Sequence, residues 1–171
     1  MCVTNRSNDA VWGALGANAV HFSMLQEYLA VMIGCAVGKY WQVTNNLHLY
    51  LDHHKELMET MAAKAFPSDQ FNSSCPYETG RVEPTPLIPG GNVLKFDADI
   101  AMLLDEGAAL GMTDWFCRKV GGPMLESIRL YKAQNESNRD RINKAQARLW
   151  DMPIKSDWLL AGQDWLERRR K

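Results

Sequence analysis

Arg6 and Ser7 stand side by side near the start of the chain, and His48 and Tyr50 stand in a second polar segment downstream. A guanidinium offers a planar fork to oxyanions, and a neighbouring hydroxyl adds a neutral donor. In the second segment Asn46, His48 and Tyr50 alternate with Leu47, Leu49 and Leu51. On a strand that period of two places three polar side chains on one face and three leucines on the other. The leucine face is expected to pack into a core, leaving the polar face to line a pocket. Taken singly, Arg6-Ser7-Asn8-Asp9 also reads as a polar turn, and His48-Leu49-Tyr50 as a half-buried strand with satisfied polar groups.

Other groups with chemical potential are weaker. Asp52-His53-His54 with Glu56 could suggest a metal, but adjacent histidines on a helix point apart, and no cysteine pair completes a tetrahedron. A solvated helix start is the expectation there. The terminal Arg168-Arg169-Arg170-Lys171 run suits the electrostatics of a helix C-terminus and is expected to be solvated. The tryptophans at 115, 150, 158 and 165 fall at helical positions and read as core or interface anchors. No glycine-rich phosphate loop with a terminal lysine occurs.

The elements that must position these residues follow from pattern and punctuation. Residues 1–7 read as the end of a strand, followed by a Gly- and Ala-rich turn at Trp12-Gly13-Ala14-Leu15-Gly16-Ala17. From Asn18 to Ile33 an i+4 recurrence of Val20, Met24, Tyr28 and Met32, with Leu25 and Leu29 alongside, predicts an amphipathic helix. Lys39 to Leu51 reads as extended, and His53 to Phe66 as a helix stopped by Pro67. Residues 67–93 hold Pro67, Pro76, Pro84, Pro86 and Pro89, and are expected to form a connecting loop that is a lid, a linker or a partly ordered segment. Beyond them the signal is helical. Asp97 is expected to cap a helix to Leu110, Thr113 or Asp114 the next, and Ser156-Asp157 the last. Gly121-Gly122-Pro123 should break one helix and start another, and Met152-Pro153 should stop the Asn- and Arg-rich one that follows. The expected organisation is 1–66, a connecting loop at 67–93, and a helical region at 94–171.

Composition sets outer bounds. The 171 residues are 46% hydrophobic and 23% charged, enough for a sizeable core. A net charge of -1 gives no global field to attract nucleic acid, so no nucleic-acid partner is expected. No run is apolar enough for a transmembrane helix, and the N-terminus lacks a signal-peptide layout. Cys2, Cys35, Cys75 and Cys117 are scattered, which reads as free thiols and a cytoplasmic setting.

An Arg-Ser-x-Asp followed at this distance by a His-x-Tyr resembles the nucleotide-binding half of the thymidylate synthase family, which includes the phage pyrimidine hydroxymethylases. The resemblance covers residues 1 to 60, and the later helices look like the tails of phage-encoded members. It implies an α/β (α+β) fold, with a thymidylate synthase-like mixed sheet portion and a long helix, followed by a mostly helical C-terminal region. It assigns Arg6 and Ser7 to the phosphate of a pyrimidine deoxynucleoside monophosphate, and His48 and Tyr50 to the deoxyribose 3′-hydroxyl. Asn18 matches the asparagine that reads the pyrimidine edge if one residue is inserted after Gly13. An amide there favours dUMP over dCMP, since it both donates and accepts. Asp9 and Gly13 match positions beside the cofactor, 5,10-methylenetetrahydrofolate.

Three departures qualify what the resemblance implies. The family's Pro-Cys nucleophile precedes the strand of the Arg-Ser pair, and Cys2, on that same strand, cannot replace it. Asn46 occupies a position that is usually aspartate. The family's closing C-terminal segment is not found. The expectation is a methyl- or hydroxymethyltransferase site that is inactive alone, in a homodimer or with a partner supplying the missing N-terminal part. The alternative is a non-catalytic nucleotide-binding or protein-interaction module built on that fold. For a phage-encoded chain the setting would be the host-cell cytoplasm.

Overall fold

The computed structural model describes residues 1–63, 77, 79–80, 82–105, 111–134, 136–152 and 156–170. The chain divides into two compact units, Met1–Ser73 and Ser74–Lys171, and the fold is a mixture of helices with a two-stranded parallel sheet.

The first unit runs β1 (Cys2–Asp9), a wide helical turn (Ala10–Ala17), α1 (Asn18–Met32), β2 (Trp41–His48) and α2 (Leu51–Ala63). Val3 and Thr4 on one strand and Trp41, Val43 and Thr44 on the other are residues that fit a pleated surface. Because α1 carries the chain back between them, the strands pair in parallel. The register runs from Cys2 opposite Trp41 to Asn5 opposite Thr44, then resumes with Ser7 opposite Asn46, Asn8 opposite Leu47 and Asp9 opposite His48. Burial alternates along Cys2–Asn5, then changes: Arg6 and Ser7 are both exposed, and Asn8 and Asp9 are both buried. The crossover is pinned by Gln26, whose Nε2 donates to the carbonyls of Gly38 (2.7 Å) and Lys39 (3.2 Å) just before β2.

Two expectations about apolar faces are corrected. The predicted stripe on α1 is largely exposed, with Val20 and Met32 more than half so, and the residues α1 buries are Gln26 and Ala30. Leu47 and Leu51 of the expected leucine face are also exposed, at 60% and 66%. The reason is dimensional: two strands are too narrow a floor to cover a helix that is apolar on several sides, or to bury a second sheet face.

The second unit contains α3 (Val93–Asp105), a wide turn (Cys117–Gly121) running into α4 (Gly122–Lys132), α5 (Asn138–Trp150) and α6 (Asp157–Glu167). Its core gathers Leu103, Phe116, Val120, Ile142, Ala145, Leu149 and Leu166. Asp114, Ser137 and Ser156 cap helix starts by accepting from the N–H groups of Cys117, Asp140 and Leu159 at 3.0 to 3.1 Å. Asp97 is not a cap. Asn92 takes the role earlier in the chain, accepting from the Lys95 N–H at 3.0 Å, and Asp97 falls inside α3. Nor does Gly121-Gly122-Pro123 break the helix. The wide turn before it lets Pro123 enter at the first turn of α4, where a missing N–H leaves no bond unmade.

The described part of the predicted connecting loop packs rather than hangs free. Leu87 and Ile88 are buried, and the Thr85 N–H donates to Asp157 at the start of α6 (3.2 Å). The loop's first half, the predicted end of α2 at Phe66, the predicted helix end at Leu110 and the Pro153 stop lie outside the described residues. The basic end of α6 is partnered: Arg168 pairs with Asp164, Arg170 with Glu167, and Arg169 lies 3.6 Å over the Trp165 ring. None of the described helices is long and apolar enough to cross a membrane.

Candidate functional site

In parallel sheets the carboxyl ends of adjacent strands point the same way, and ligands favour that edge. Here the edge brings together Ser7-Asn8-Asp9 at the end of β1 and Asn46-Leu47-His48 at the end of β2. Ser7 Oγ and His48 Nδ1 are hydrogen-bonded at 3.2 Å across a sequence separation of 41. Tyr50 lies just past the end of β2 rather than within it, so the regular strand alternation does not place it. Its ring nevertheless meets His48 edge to face, 4.8 Å between centroids, and then His53 at 5.9 Å. Arg6 is exposed beside Ser7, and among the described residues no hydrogen bond or ion pair joins it to His48, Tyr50 or Asn18.

Asp9 is occupied locally. Its Oδ1 accepts from the N–H groups of Val11 (3.0 Å) and Trp12 (2.6 Å), capping the turn that follows. His54 Nε2 lies 3.4 Å from the same oxygen. Burial works against the charge on Asp9. The backbone N–H groups of Trp12, Tyr50 and Val11, together with nearby His54, outweigh it and hold the carboxyl below the usual aspartate range. Oδ2 is buried and takes no part in the capping bonds to Val11 and Trp12. Among the described residues no three His, Cys, Asp or Glu side chains cluster to hold a metal.

Gly13 and Asn18 sit at either end of the wide part of the turn. A helical turn with i→i+5 bonding is how a helix takes up one extra residue. Ala10–Ala17 comprises two helical stretches joined at a kink, where Gly16 leaves the helical region at φ -115° and ψ -120°, and the Asn18 N–H bonds the Gly13 carbonyl five residues back. Asn18 emerges as the first residue of α1, and its Nδ2 donates to Asn8 Oδ1 at 2.9 Å.

Two buried residues have roles that the sequence did not assign them. Asn8, the spacer of Arg-Ser-x-Asp, is buried and connects Asn18 to Thr44, donating to Thr44 Oγ1 at 3.5 Å. His54 is also buried, under the Trp12 ring (4.8 Å, edge to face), so the solvated helix start expected at Asp52-His53-His54 stops short of it. The signal for His54 was its place one turn after Tyr50, facing the sheet. Nothing in the sequence singled out Asn8.

Residues 1–78 match the thymidylate synthase family model. This part of the chain is similar to the thymidylate synthase family, the resemblance its Arg-Ser-x-Asp and His-x-Tyr segments carry. The chain is 41% identical over 170 residues, 99% of its length, to the deoxyuridylate hydroxymethyltransferase of Pseudomonas phage M6, of which it covers 47%. It is 48% identical over 54 residues to the protein of the same name from Bacillus phage SP01, which is 32% of this chain and 14% of that one. The first similarity therefore extends through the helical region as well. The chain spans about half the length of the Pseudomonas phage relative. No solved structure matches the chain.

Proposed function

We propose that this chain carries the nucleotide-binding part of a pyrimidine deoxynucleotide C5 hydroxymethyl- or methyltransferase, with dUMP as the preferred nucleotide. The observation that carries the reading is the Ser7–His48–Tyr50 chain of contacts at the carboxyl ends of two parallel strands. The phage relatives, both named for deoxyuridylate, support the base. In this reading Arg6 and Ser7 hold the phosphate, His48 and Tyr50 the sugar hydroxyl, and Asn18 the base edge. In the same reading Asp9 and Gly13 would hold methylenetetrahydrofolate. That cofactor supplies the one-carbon unit.

The chemistry needs a thiolate to add to C6 of the pyrimidine and make C5 nucleophilic. None of the three described cysteines stands at this cluster. Cys117 belongs to the second unit and is buried, and Cys35 lies in the crossover after α1. Cys2 is four residues before Arg6 on β1, about 13 Å at the rise of a strand. We therefore propose that the chain binds nucleotide but needs a thiol from another segment or chain to turn it over. The exposed apolar residues of the first unit favour a homodimer or a partner that adds to this sheet, in the host-cell cytoplasm.

Calorimetric titration of the whole chain with dUMP and dCMP tests the reading. Binding is expected, and Arg6→Ala should weaken it by about 10- to 100-fold, the range for one charge-assisted hydrogen bond. Absence of binding to either nucleotide at millimolar concentration would sink it.

A further inference from the structure

A primary amide is an ambiguous reader of bases, because a half-turn of its last torsion exchanges its donor and acceptor ends, and that torsion is soft. A base-reading asparagine discriminates only if something else decides which end faces the ligand. For Asn18 that neighbour is Asn8. The Asn18 NH₂ donates to Asn8 Oδ1 at 2.9 Å, and Asn8 is only 3% exposed. Asn8 is itself held on two sides. Its own NH₂ donates to Thr44 Oγ1 on β2 (3.5 Å), and its Oδ1 fills the space where a side chain on Gly13 would begin. Turning Asn18 over alone would set its oxygen against the Asn8 oxygen, two acceptors with no proton between them.

We infer that Asn8 is the specificity-determining residue of this site: it fixes the amide of Asn18 so that an oxygen and one remaining N–H face the nucleotide. With the order of the two fixed, and with the uracil preference proposed above, the oxygen takes uracil N3–H and the N–H reaches uracil O4. That order opposes cytosine, which presents the reverse pattern at the same two positions. Asn8 and Asn18 thus turn only together, and the packing of the Asn8 oxygen on Gly13 is what sets their direction, since the Thr44 hydroxyl can accept or donate. The inference rests on the nucleotide reading above and adds the residues that impose its uracil preference.

Two substitutions at one position test it. In Asn8→Asp the carboxylate can only accept, so the Asn18 NH₂ stays turned towards it, and the preference for dUMP over dCMP should persist. In Asn8→Leu, similar in size but unable to accept, Asn18 is released. The ratio of the two dissociation constants should fall at least about tenfold, the equivalent of one hydrogen bond. A role in stability alone would weaken both nucleotides together and leave that ratio unchanged. The Asn18 side-chain amide protons, assigned by NMR, should exchange slowly in the wild type and in Asn8→Asp, and fast in Asn8→Leu.

An unchanged ratio in Asn8→Leu, or a switch to dCMP in Asn8→Asp, overturns the inference while the nucleotide reading stands. If Asn8→Leu does not fold, the Asn8→Asp ratio and the Asn18 amide exchange decide alone. If the wild type binds neither nucleotide, the nucleotide reading fails and takes this inference with it.

Discussion

Replacing Gly13 with alanine sets two known effects against each other. Alanine is the better helix former, worth about 0.5–1 kcal/mol over glycine in a helical position. Against this, the added Cβ would lie 1.8 Å from Asn8 Oδ1 and 3.0 Å from its Cγ, a separation no pair of atoms tolerates. Asn8 is buried and must leave its place, abandoning its bonds to Asn18 and Thr44. Each neutral hydrogen bond is worth about 0.5–1.5 kcal/mol, and stranding a buried amide adds about 1–3 kcal/mol. Steric loss therefore exceeds helix gain, and the net destabilisation should be about 2–3 kcal/mol. Amide hydrogen exchange with mass spectrometry isolates the effect, because peptides from β1 and β2 report the first unit without α3–α6. Protection there should fall about 30- to 100-fold, at 1.4 kcal/mol per tenfold. Gly162→Ala on α6 is the internal control. Its Cβ would meet Leu149 Cδ1 at 2.9 Å and Met124 Cε at 3.2 Å, flexible tips beside an apolar cavity of about 250 Å³. There helix propensity should win, stabilising by up to about 1 kcal/mol. If Gly13→Ala exchanges as slowly as the wild type, the close packing of Asn8 on Gly13 is wrong.

Two further outcomes follow from ionisation. Burial, then the nearby charge and hydrogen bond of Asp114 and the charge of Asp99, push the Cys117 thiol up to about 12. At pH 8 iodoacetamide should therefore label exposed Cys2 and Cys35 and leave Cys117 untouched until the protein is denatured; native labelling of Cys117 would contradict its burial. Asp9 has a depressed carboxyl, so its contribution to stability is complete above the ordinary value of 3.8 and is lost as pH falls through its lower folded value. The Trp12 indole signal followed by NMR should hold its folded position down to pH 4 and change below it. In Asp9→Asn that acid-sensitive step should vanish, and an identical acid profile for both proteins would refute the assignment.

What the sequence made legible was whatever depends on local chemistry. The presence of the two strands, α1 from Asn18, a cap at Thr113 or Asp114 and the cap at Ser156 followed from residue type and spacing. The strand ends did not, and the Ser7–His48 bond was not foreseen. What it hid depends on neighbours distant in sequence. Asn92 outcompeted Asp97 as a cap because a cap is defined by which N–H groups it reaches. Gly121-Gly122-Pro123 continued a helix because a wide turn relieved the proline. Asn8 could not be recognised, since its importance lies in a bond to Asn18 and a gap at Gly13, and neither is visible one residue at a time. The α1 stripe misled for the opposite reason: its periodicity is real, but the sheet beneath it is two strands wide.

That narrow sheet also bears on how any affinity of this protein will behave in solution. Trp12, Trp41, Val43 and Leu47 are each more than half exposed around the very strands that carry Ser7 and His48. Parallel strands are ordinarily covered on both faces. Self-association that buries these side chains also steadies the strand ends, and mass action then couples the two equilibria. Nucleotide would drive assembly and assembly would tighten nucleotide, so the apparent dissociation constant would vary with the protein concentration in the cell of the calorimeter. A titration repeated at two protein concentrations reads that coupling directly, as a difference between two curves that a lone monomer would superimpose.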